Sequence, residues 1–225
     1  MKDLITIGLP SKGRLKDKSI SFFNDTGLKI LQSEKERNYF GTIENKSNIK
    51  IIFLHAKEII QRLADGTIDI GVSGLDLLKE SEKNLRDKIS IQKKLDFGNA
   101  KLVVAVPNDW IDVQTIADLE EISFDLKSYK NTRLRVATKY PNLTNNFLIS
   151  KGVTQYKLVS SLGATETYPF IGSSEIITDI TSTGKTLTDN NLRELKDGLI
   201  LNSTACLFYA KKKLVKINKS NIFKN

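Results

Sequence analysis

Thiols and imidazoles are nearly absent from this sequence. A single cysteine, Cys206, excludes an internal disulfide, and a single histidine, His55, leaves too few soft ligands for a zinc site. Long apolar runs are missing as well. The chain passes from Met1-Lys2-Asp3 straight into Leu4-Ile5-Thr6-Ile7 without the apolar stretch of a secretion signal, and no later run is long enough to span a bilayer. A cytoplasmic location is therefore expected, and matches to the glycosylation pattern such as Asn142-Leu143-Thr144 carry no weight. No internal repeat or low-complexity segment stands out.

What is present fits a globular protein. The 225 residues suffice for one large or two small domains, and 40% hydrophobic with 27% charged residues is an ordinary composition. Net charge is +9, but six lysines (Lys211, Lys212, Lys213, Lys216, Lys219, Lys224) and no acids lie from Lys211 to Asn225, so +3 remains for the rest. Such a run reads as a solvated helix face or frayed end. The mildly basic body suits phosphorylated substrates.

Strand and helix patterns alternate along the chain, which argues for an α/β fold with mainly parallel strands. Leu4 to Gly8 reads as a strand ending in a basic turn, Pro10-Ser11-Lys12-Gly13-Arg14, before an amphipathic helix closed by Gly27. Ligands of open α/β sheets bind beyond the C-terminal ends of strands, where Lys12 and Arg14 project. Residues 32 to 48 are polar and read as a hairpin or loop carrying Arg37 and Tyr39. Ile49 to Leu54 is a buried strand, Ala56 to Ala64 an amphipathic helix capped by Gly66, and Ile68 to Val72 the next strand. Gly71 and Gly74 flank its end, where small residues permit close packing or ligand approach. His55, alone at a strand end, is read as structural.

Gly98 is a candidate hinge before a second strand system that begins at Lys101 to Pro107. Trp110 and Ile111 are expected to close a small core, residues 112 to 131 to form a helix and a polar loop, and Leu134 to Thr138 and Tyr156 to Val159 to be strands. Leu195 to Leu201 is expected as a strand returning to the first domain, and Leu207 to Ile222 as a basic terminal helix.

The most informative stretch is Gly163 to Leu187. Ser182-Thr183-Gly184-Lys185-Thr186 sets hydroxyls, a glycine and a cation at what reads as a helix start, where amides and the macrodipole favour phosphate. Gly184-Lys185-Thr186 imitates the end of a Walker A loop, but that motif needs a glycine five residues before its Gly-Lys pair, where this chain has Asp179. An acid ahead of a Thr-Gly turn fits a ribose 5-phosphate, with the phosphate in the turn and ribose hydroxyls on the carboxylate. Glu175, four residues before Asp179, would share its face on a helix, or lie two pleats away on the same side of a strand.

Together Glu166, Gly172, Ser174, Ile177, Asp179, Thr183-Gly184, Thr186 and Leu187 follow the phosphoribosyl-diphosphate signature of the ATP phosphoribosyltransferase family, which the chain resembles over nearly its whole length. Ser11 to Leu15 is similar to that family's amino-terminal Pro-Lys-Gly-Arg-Leu element, and the Ala64 to Leu78 stretch also follows its pattern. Departures are Ser174 and Glu175 for alanine and aspartate, His55 for arginine and Ile60 for proline. The resemblance implies a two-lobed type II periplasmic-binding-protein-like fold, with residues 1–97 and 190–225 as a discontinuous first lobe and 98–189 as the second. It implies transfer of the phosphoribosyl group of phosphoribosyl diphosphate to N1 of ATP, releasing pyrophosphate, as the first step of histidine biosynthesis. By that resemblance Asp179, Lys12 and Arg14 are the catalytic candidates. Glu166, Glu175, Asp179, Ser182, Thr183, Gly184, Lys185, Thr186, Lys12, Gly13, Arg14 and Gly74 are the substrate-binding ones. Mg²⁺ would arrive with the substrate, meeting Asp179 at most. The implied partners are a histidyl-tRNA synthetase-like regulatory subunit, as in the family's short form, and a second copy of the chain when alone. The alternatives are a non-catalytic small-anion or nucleotide binding protein of the same fold, and a basic nucleic-acid module. The latter is disfavoured because the lysine-rich tail offers only Tyr209 and Phe223 for base stacking.

Overall fold

The computed structural model describes residues 4–32, 39–220 and 222–223. Contacts divide the chain into two units, Met1–Gly98 with Thr204–Asn225, and Asn99–Ser203. Arg37 lies outside the described residues, and Tyr39 is exposed.

The first unit is built around β1 (Ile5–Pro10). A helix, α1 (Gly13–Asp25), leads to two short strands, β2 (Ile30–Gln32) and β3 (Phe40–Ile43), and then to β4 (Lys46–Leu54). Next come α2 (Ala56–Asp65), β5 (Ile70–Gly74), the short helices α3 (Leu75–Glu80) and α4 (Lys83–Arg86), and β6 (Ile89–Lys94). β1 pairs in parallel with β4 (Ile7 opposite Ile51) and with β5 (Ile7 opposite Ile70), so these three strands end at one edge. Buried on both faces, β1 and β5 read as near-continuous apolar runs, as central parallel strands do. Ile59, Ile60, Leu63 and Ala64 of α2 are buried against this sheet. Gly71 permits that packing, because a β-carbon there would stand 2.5 Å from Ile59 Cγ2.

The second unit contains β7 (Ala100–Pro107), α5 (Ile116–Lys130), β8 (Leu134–Thr138), α6 (Pro141–Ser150), β9 (Tyr156–Ser160), β10 (Ile176–Thr181), α7 (Lys185–Asp189) and β11 (Leu192–Ser203). The sheet order is β11-β7-β10-β8-β9, with β8 parallel to both β10 and β9 and β7 antiparallel to β10 and β11. Thr115 and Asp118 form a reciprocal capping box that starts α5.

The chain then returns to the first unit as β12 (Ala205–Ala210), antiparallel to β5 and β6, and ends with α8 (Leu214–Ser220) after a 3₁₀ turn at Lys211–Lys213. Parallel pairing joins β4, β1 and β5 at the centre of one sheet and β10, β8 and β9 at one side of the other, so that among the described strands only β3 and β12 in the first sheet and β7 in the second run against the rest, as expected of mainly parallel sheets. Two expectations are corrected here. Residues 195 to 201 belong to β11 and pair with β7, so the crossing back comes only at Thr204. Finally, 205 to 210 form a strand, all six residues buried, because Ala-Cys-Leu-Phe-Tyr-Ala fills a slot between two strands where a helix would leave both edges unpaired.

The lysine-rich end is only partly a solvated face. Lys216 Nζ lies 3.0 Å from both carboxylate oxygens of Asp69, which is itself buried and accepts the Thr6 N–H at 2.8 Å. The Asp69 N–H also donates to the Thr6 carbonyl and its carbonyl accepts the Ala210 N–H, joining β1, β12 and α8 at one residue. Lys212 Nζ donates to the Asp65 carbonyl at the end of α2. Ile217 and Ile222 are buried, and the Phe223 ring centroid lies 5.9 Å from that of Phe23. Tyr209 and Phe223 are thereby engaged in the core. Lys216→Met keeps most of the aliphatic stem but strands Asp69, and it is expected to cost about 2 kcal/mol, below the ~3–5 of a fully buried pair. Urea melts would check this, and unchanged stability would mean that α8 is held by its apolar contacts alone.

Candidate active site

The second unit gathers polar groups where its parallel strands end. β10 runs into Ser182-Thr183-Gly184, and α7 begins at Lys185. Gly184 has φ +76°, a left-handed conformation that costs glycine nothing and a β-branched residue a great deal. The turn is closed by its own hydroxyls: Thr181 Oγ1 accepts the Gly184 N–H at 2.9 Å and Thr183 Oγ1 that of Lys185 at 3.3 Å. Leu187 anchors α7 in the core while Ser182, Thr183, Lys185 and Thr186 stay exposed. Exposed hydroxyls on a fixed turn are what a phosphate requires.

Asp179 precedes this turn on β10, only 9% exposed, with Oδ1 accepting the Ile180 N–H at 2.9 Å. Burial pushes its pKa above the ordinary carboxylate value. The Ile180 hydrogen bond and the charge of Lys139 oppose that shift, while the nearby charge of Glu166 adds to it. Glu166 sits on the 3₁₀ turn Thr165–Thr167, which contacts β10, and Lys139 follows the last residue of β8. Asp179, Glu166 and the Ser182 to Thr186 turn are therefore brought together. Lys139 joins them, and sequence reasoning missed it; the available signal was its place at the C-terminal end of a strand parallel to β10.

Glu175 is placed elsewhere. β10 begins only at Ile176, so of the two geometries left open the strand holds, and the acids are separated by roughly 13 Å at ~3.3 Å per residue. Arg135 occupies the carboxylate, with Nη2 at 2.6 Å and Nε at 3.0 Å from Oε1, and the Arg135 N–H donates to Oε2 at 2.6 Å. Arg135 Nη1 also donates to the Gly172 carbonyl. This network ties the starts of β8 and β10 together. The neighbouring Ser174 hydroxyl is buried without a hydrogen-bond partner among the described residues, as suits a position where alanine would serve.

The first unit has a comparable edge. Lys12, Gly13 and Arg14 follow β1, with Gly13 at φ +69° and both cations exposed, and the Ser11 N–H donates to the Leu54 carbonyl at 2.8 Å, holding the ends of β1 and β4 together. After β4, His55 Nδ1 accepts the Lys57 N–H at 3.3 Å and caps α2, which is the structural role expected of it. After β5, Gly74 makes room for Asp76, because a β-carbon at 74 would stand 2.2 Å from Asp76 Oδ1. Lys57 and Asp76 join Lys12, Arg14 and Gly74 by strand position, a signal visible in sequence only once the strand order is known.

A fold with two α/β units, each presenting polar turns beyond parallel strands, is that of the two-lobed type II periplasmic binding proteins. The substrate-binding protein of an amino-acid ABC transporter aligns over 98% of this chain and 92% of its own with a TM-score of 0.55 at 14% identity. A chain of the ATP phosphoribosyl transferase (HisG:HisZ) complex from Thermotoga maritima aligns over 97% and 94% with a TM-score of 0.74 at 24% identity. Residues 55–224 match the HisG family, ATP phosphoribosyltransferase. An ATP phosphoribosyltransferase of Chelativorans sp. (strain BNC1) is 47% identical over 210 residues, covering 93% of this chain and 91% of its own length. One of Brucella melitensis biotype 2 is 44% identical over 209 residues, covering 92% and 90%. The chain belongs to the ATP phosphoribosyltransferase family. Its activity is the joining of ATP and phosphoribosyl diphosphate that opens histidine biosynthesis.

Because burial makes Asp179 harder to ionise in the folded chain than in the unfolded one, its charge subtracts stability above the folded pKa and subtracts nothing below the unfolded value. Asp179→Asn is therefore expected to melt at a higher temperature than wild type at pH 7, with the gap narrowing as pH falls towards the ordinary carboxylate range. Melting curves from pH 7 down to pH 4 read this directly, and a lower melting temperature for the variant at pH 7 would contradict the burial argument.

Proposed function

We propose that the edge of the second unit holds the phosphoribosyl donor and that the basic edge of the first unit holds polyphosphate. The observation that carries this is the buried, barely solvated carboxylate of Asp179 beside a fixed hydroxyl turn. Hydroxyls from Ser182 to Thr186, with the turn amides that Thr181 and Thr183 do not take, bind the 5-phosphate, Asp179 takes the ribose hydroxyls, and Glu166 orients the loop. Lys12 and Arg14 take polyphosphate oxygens, Gly13 shapes their turn, and Gly74 admits the Asp76 carboxylate. Glu175 braces β10 through Arg135.

The reaction asks little of acid–base chemistry. N1 of adenine attacks the anomeric carbon with its own lone pair, the bond from that carbon to the diphosphate breaks, and the electron pair leaves with pyrophosphate. Positive charge grows on the ribose ring meanwhile. A carboxylate already stripped of water stabilises that charge without reorganising, so Asp179 acts mainly in the transition state, while the turn supplies positioning. Among the described residues no cluster of three or more acidic, histidine or cysteine side chains could hold a metal. Asp179, one oxygen of which accepts the Ile180 N–H, fits an ion that takes most of its ligands from the diphosphate, as Mg²⁺ does. Bound there, Mg²⁺ would offset charge on the departing diphosphate.

The chain is further proposed to be a short-form catalytic subunit, working in the cytoplasm and pairing with itself when alone. Its regulatory partner would be a histidyl-tRNA synthetase-like subunit. The Thermotoga likeness is to a chain of a HisG:HisZ complex, and no described helix is long and apolar enough to cross a membrane.

Thr183→Ala is expected to weaken donor binding about tenfold or more, the loss of one hydrogen bond to a charged group. Gly184→Val should do so through strain at positive φ. Calorimetry with Mg²⁺ and phosphoribosyl diphosphate tests both, and wild-type affinity in the two folded variants would sink the assignment. Histidine is expected to leave the isolated chain uninhibited and to inhibit after the synthetase-like subunit is added. Inhibition of the chain by itself would contradict the short-form reading.

A further inference from the structure

We propose that Lys139 is a donor-binding residue, contacting phosphate oxygens of phosphoribosyl diphosphate and offsetting the two acids beside the phosphate turn. This rests on the reading that the edge of the second unit is the donor site. Three observations carry it. The first is register: β8 and β10 are parallel with Thr138 opposite Thr178, so the following residues, Lys139 just past the end of β8 and Asp179 within the last half of β10, lie side by side.

The second is a rigid base beneath a free head. Thr178 Oγ1 donates to Thr138 Oγ1 at 2.6 Å and lies 2.6 Å from Thr144 Oγ1, and Thr138 Oγ1 accepts the Tyr140 N–H at 2.9 Å. These hydroxyls are buried, so the backbone on both sides of Lys139 is fixed, and Tyr140 is buried as well. The Lys139 side chain is nevertheless exposed and takes part in none of the ion pairs found among the described residues.

The third is charge. Phosphoribosyl diphosphate brings several negative charges to an edge that already carries Asp179 and Glu166. Lys185 in the turn is one cation against two acids and several phosphate charges, and a second cation at Lys139 offsets the repulsion between those acids and the phosphates. Lysine suits the task as a compact charge on a flexible stem, reaching from a fixed point to whichever phosphate oxygen the donor presents.

The test compares Lys139→Met, which keeps the stem, with Lys139→Arg, which keeps the charge, by calorimetric titration of phosphoribosyl diphosphate with Mg²⁺ and separately of ATP. The expected result is roughly a tenfold or greater loss of donor affinity in Lys139→Met. Most of it should be recovered in Lys139→Arg, and ATP binding should change little in either. Thr183→Ala serves as the reference for the site itself. Wild-type donor binding in Lys139→Met while Thr183→Ala loses it would overturn this proposal alone. Equal losses in Lys139→Met and Lys139→Arg would overturn it too, because packing and not charge would then be at work. Wild-type donor binding in both Lys139→Met and Thr183→Ala would overturn the donor-site reading beneath it.

Discussion

Parallel pairing of β4, β1 and β5 in one sheet and of β10, β8 and β9 in the other is the constraint from which the rest follows. Strands that run the same way cannot be joined by a tight turn, so a helix must carry the chain back, and every strand then delivers its C-terminal residues to the same edge. β1, β4 and β5 thereby set Lys12, Lys57 and Asp76 on neighbouring strand ends, though 64 residues separate the first from the last. β8 and β10 likewise set Lys139 beside Asp179. The antiparallel strands that complete the sheets have a different task. β12 is buried throughout and fills the slot between β5 and β6, while β11 covers β7, so the functional edges carry no share of closing the core.

The two acids of the Gly172 to Thr181 stretch show how environment assigns roles to similar side chains. Glu175 is met by a guanidinium and a backbone amide, and its charge is spent on joining two strands. Asp179 is buried with a single backbone amide on one oxygen. A carboxylate held in that way is unfavourable for folding, and such a position persists where the charge is useful to something that arrives later. The role proposed for Asp179, meeting the positive charge that grows on the ribose ring, is such a use, because the carboxylate has already been stripped of water when the protein folds.

Much of this was legible in the residues. Apolar patterns locate β1, α1, β4, α2, β5, β7, β8 and β9, and the glycine and hydroxyl pattern after Asp179 locates the turn, while the Glu175 to Asp179 stretch is open between helix and strand until β10 is seen. Strand partners were not legible, because pairing is set by tertiary contacts that leave no local mark. That is why residues 195 to 201 read as a strand of the other sheet and why Lys139, Lys57 and Asp76, though present in the motifs, carry no site role in the sequence: each becomes a site candidate only when its strand is placed beside another. The strand at 205 to 210 was misread for a related reason. Its apolar run is as compatible with a buried helix as with a buried strand, and the lysines that follow tipped the pattern towards a helix.

Those lysines also show the limit of counting charge. A net +9 with six lysines near one end suggests an electrostatic surface for a polyanion, but Lys216 and Lys212 are engaged with Asp69 and the Asp65 carbonyl, Leu214 between them packs against the core, and Ile217 just beyond is buried in it. Asp69 is the reason the tail is needed. An acid buried where β1, β12 and α8 meet requires a cation, and the last helix brings one from 147 residues away. The cations left for the phosphate binding proposed above are then the few at strand ends, where position and not number decides what a cation can meet.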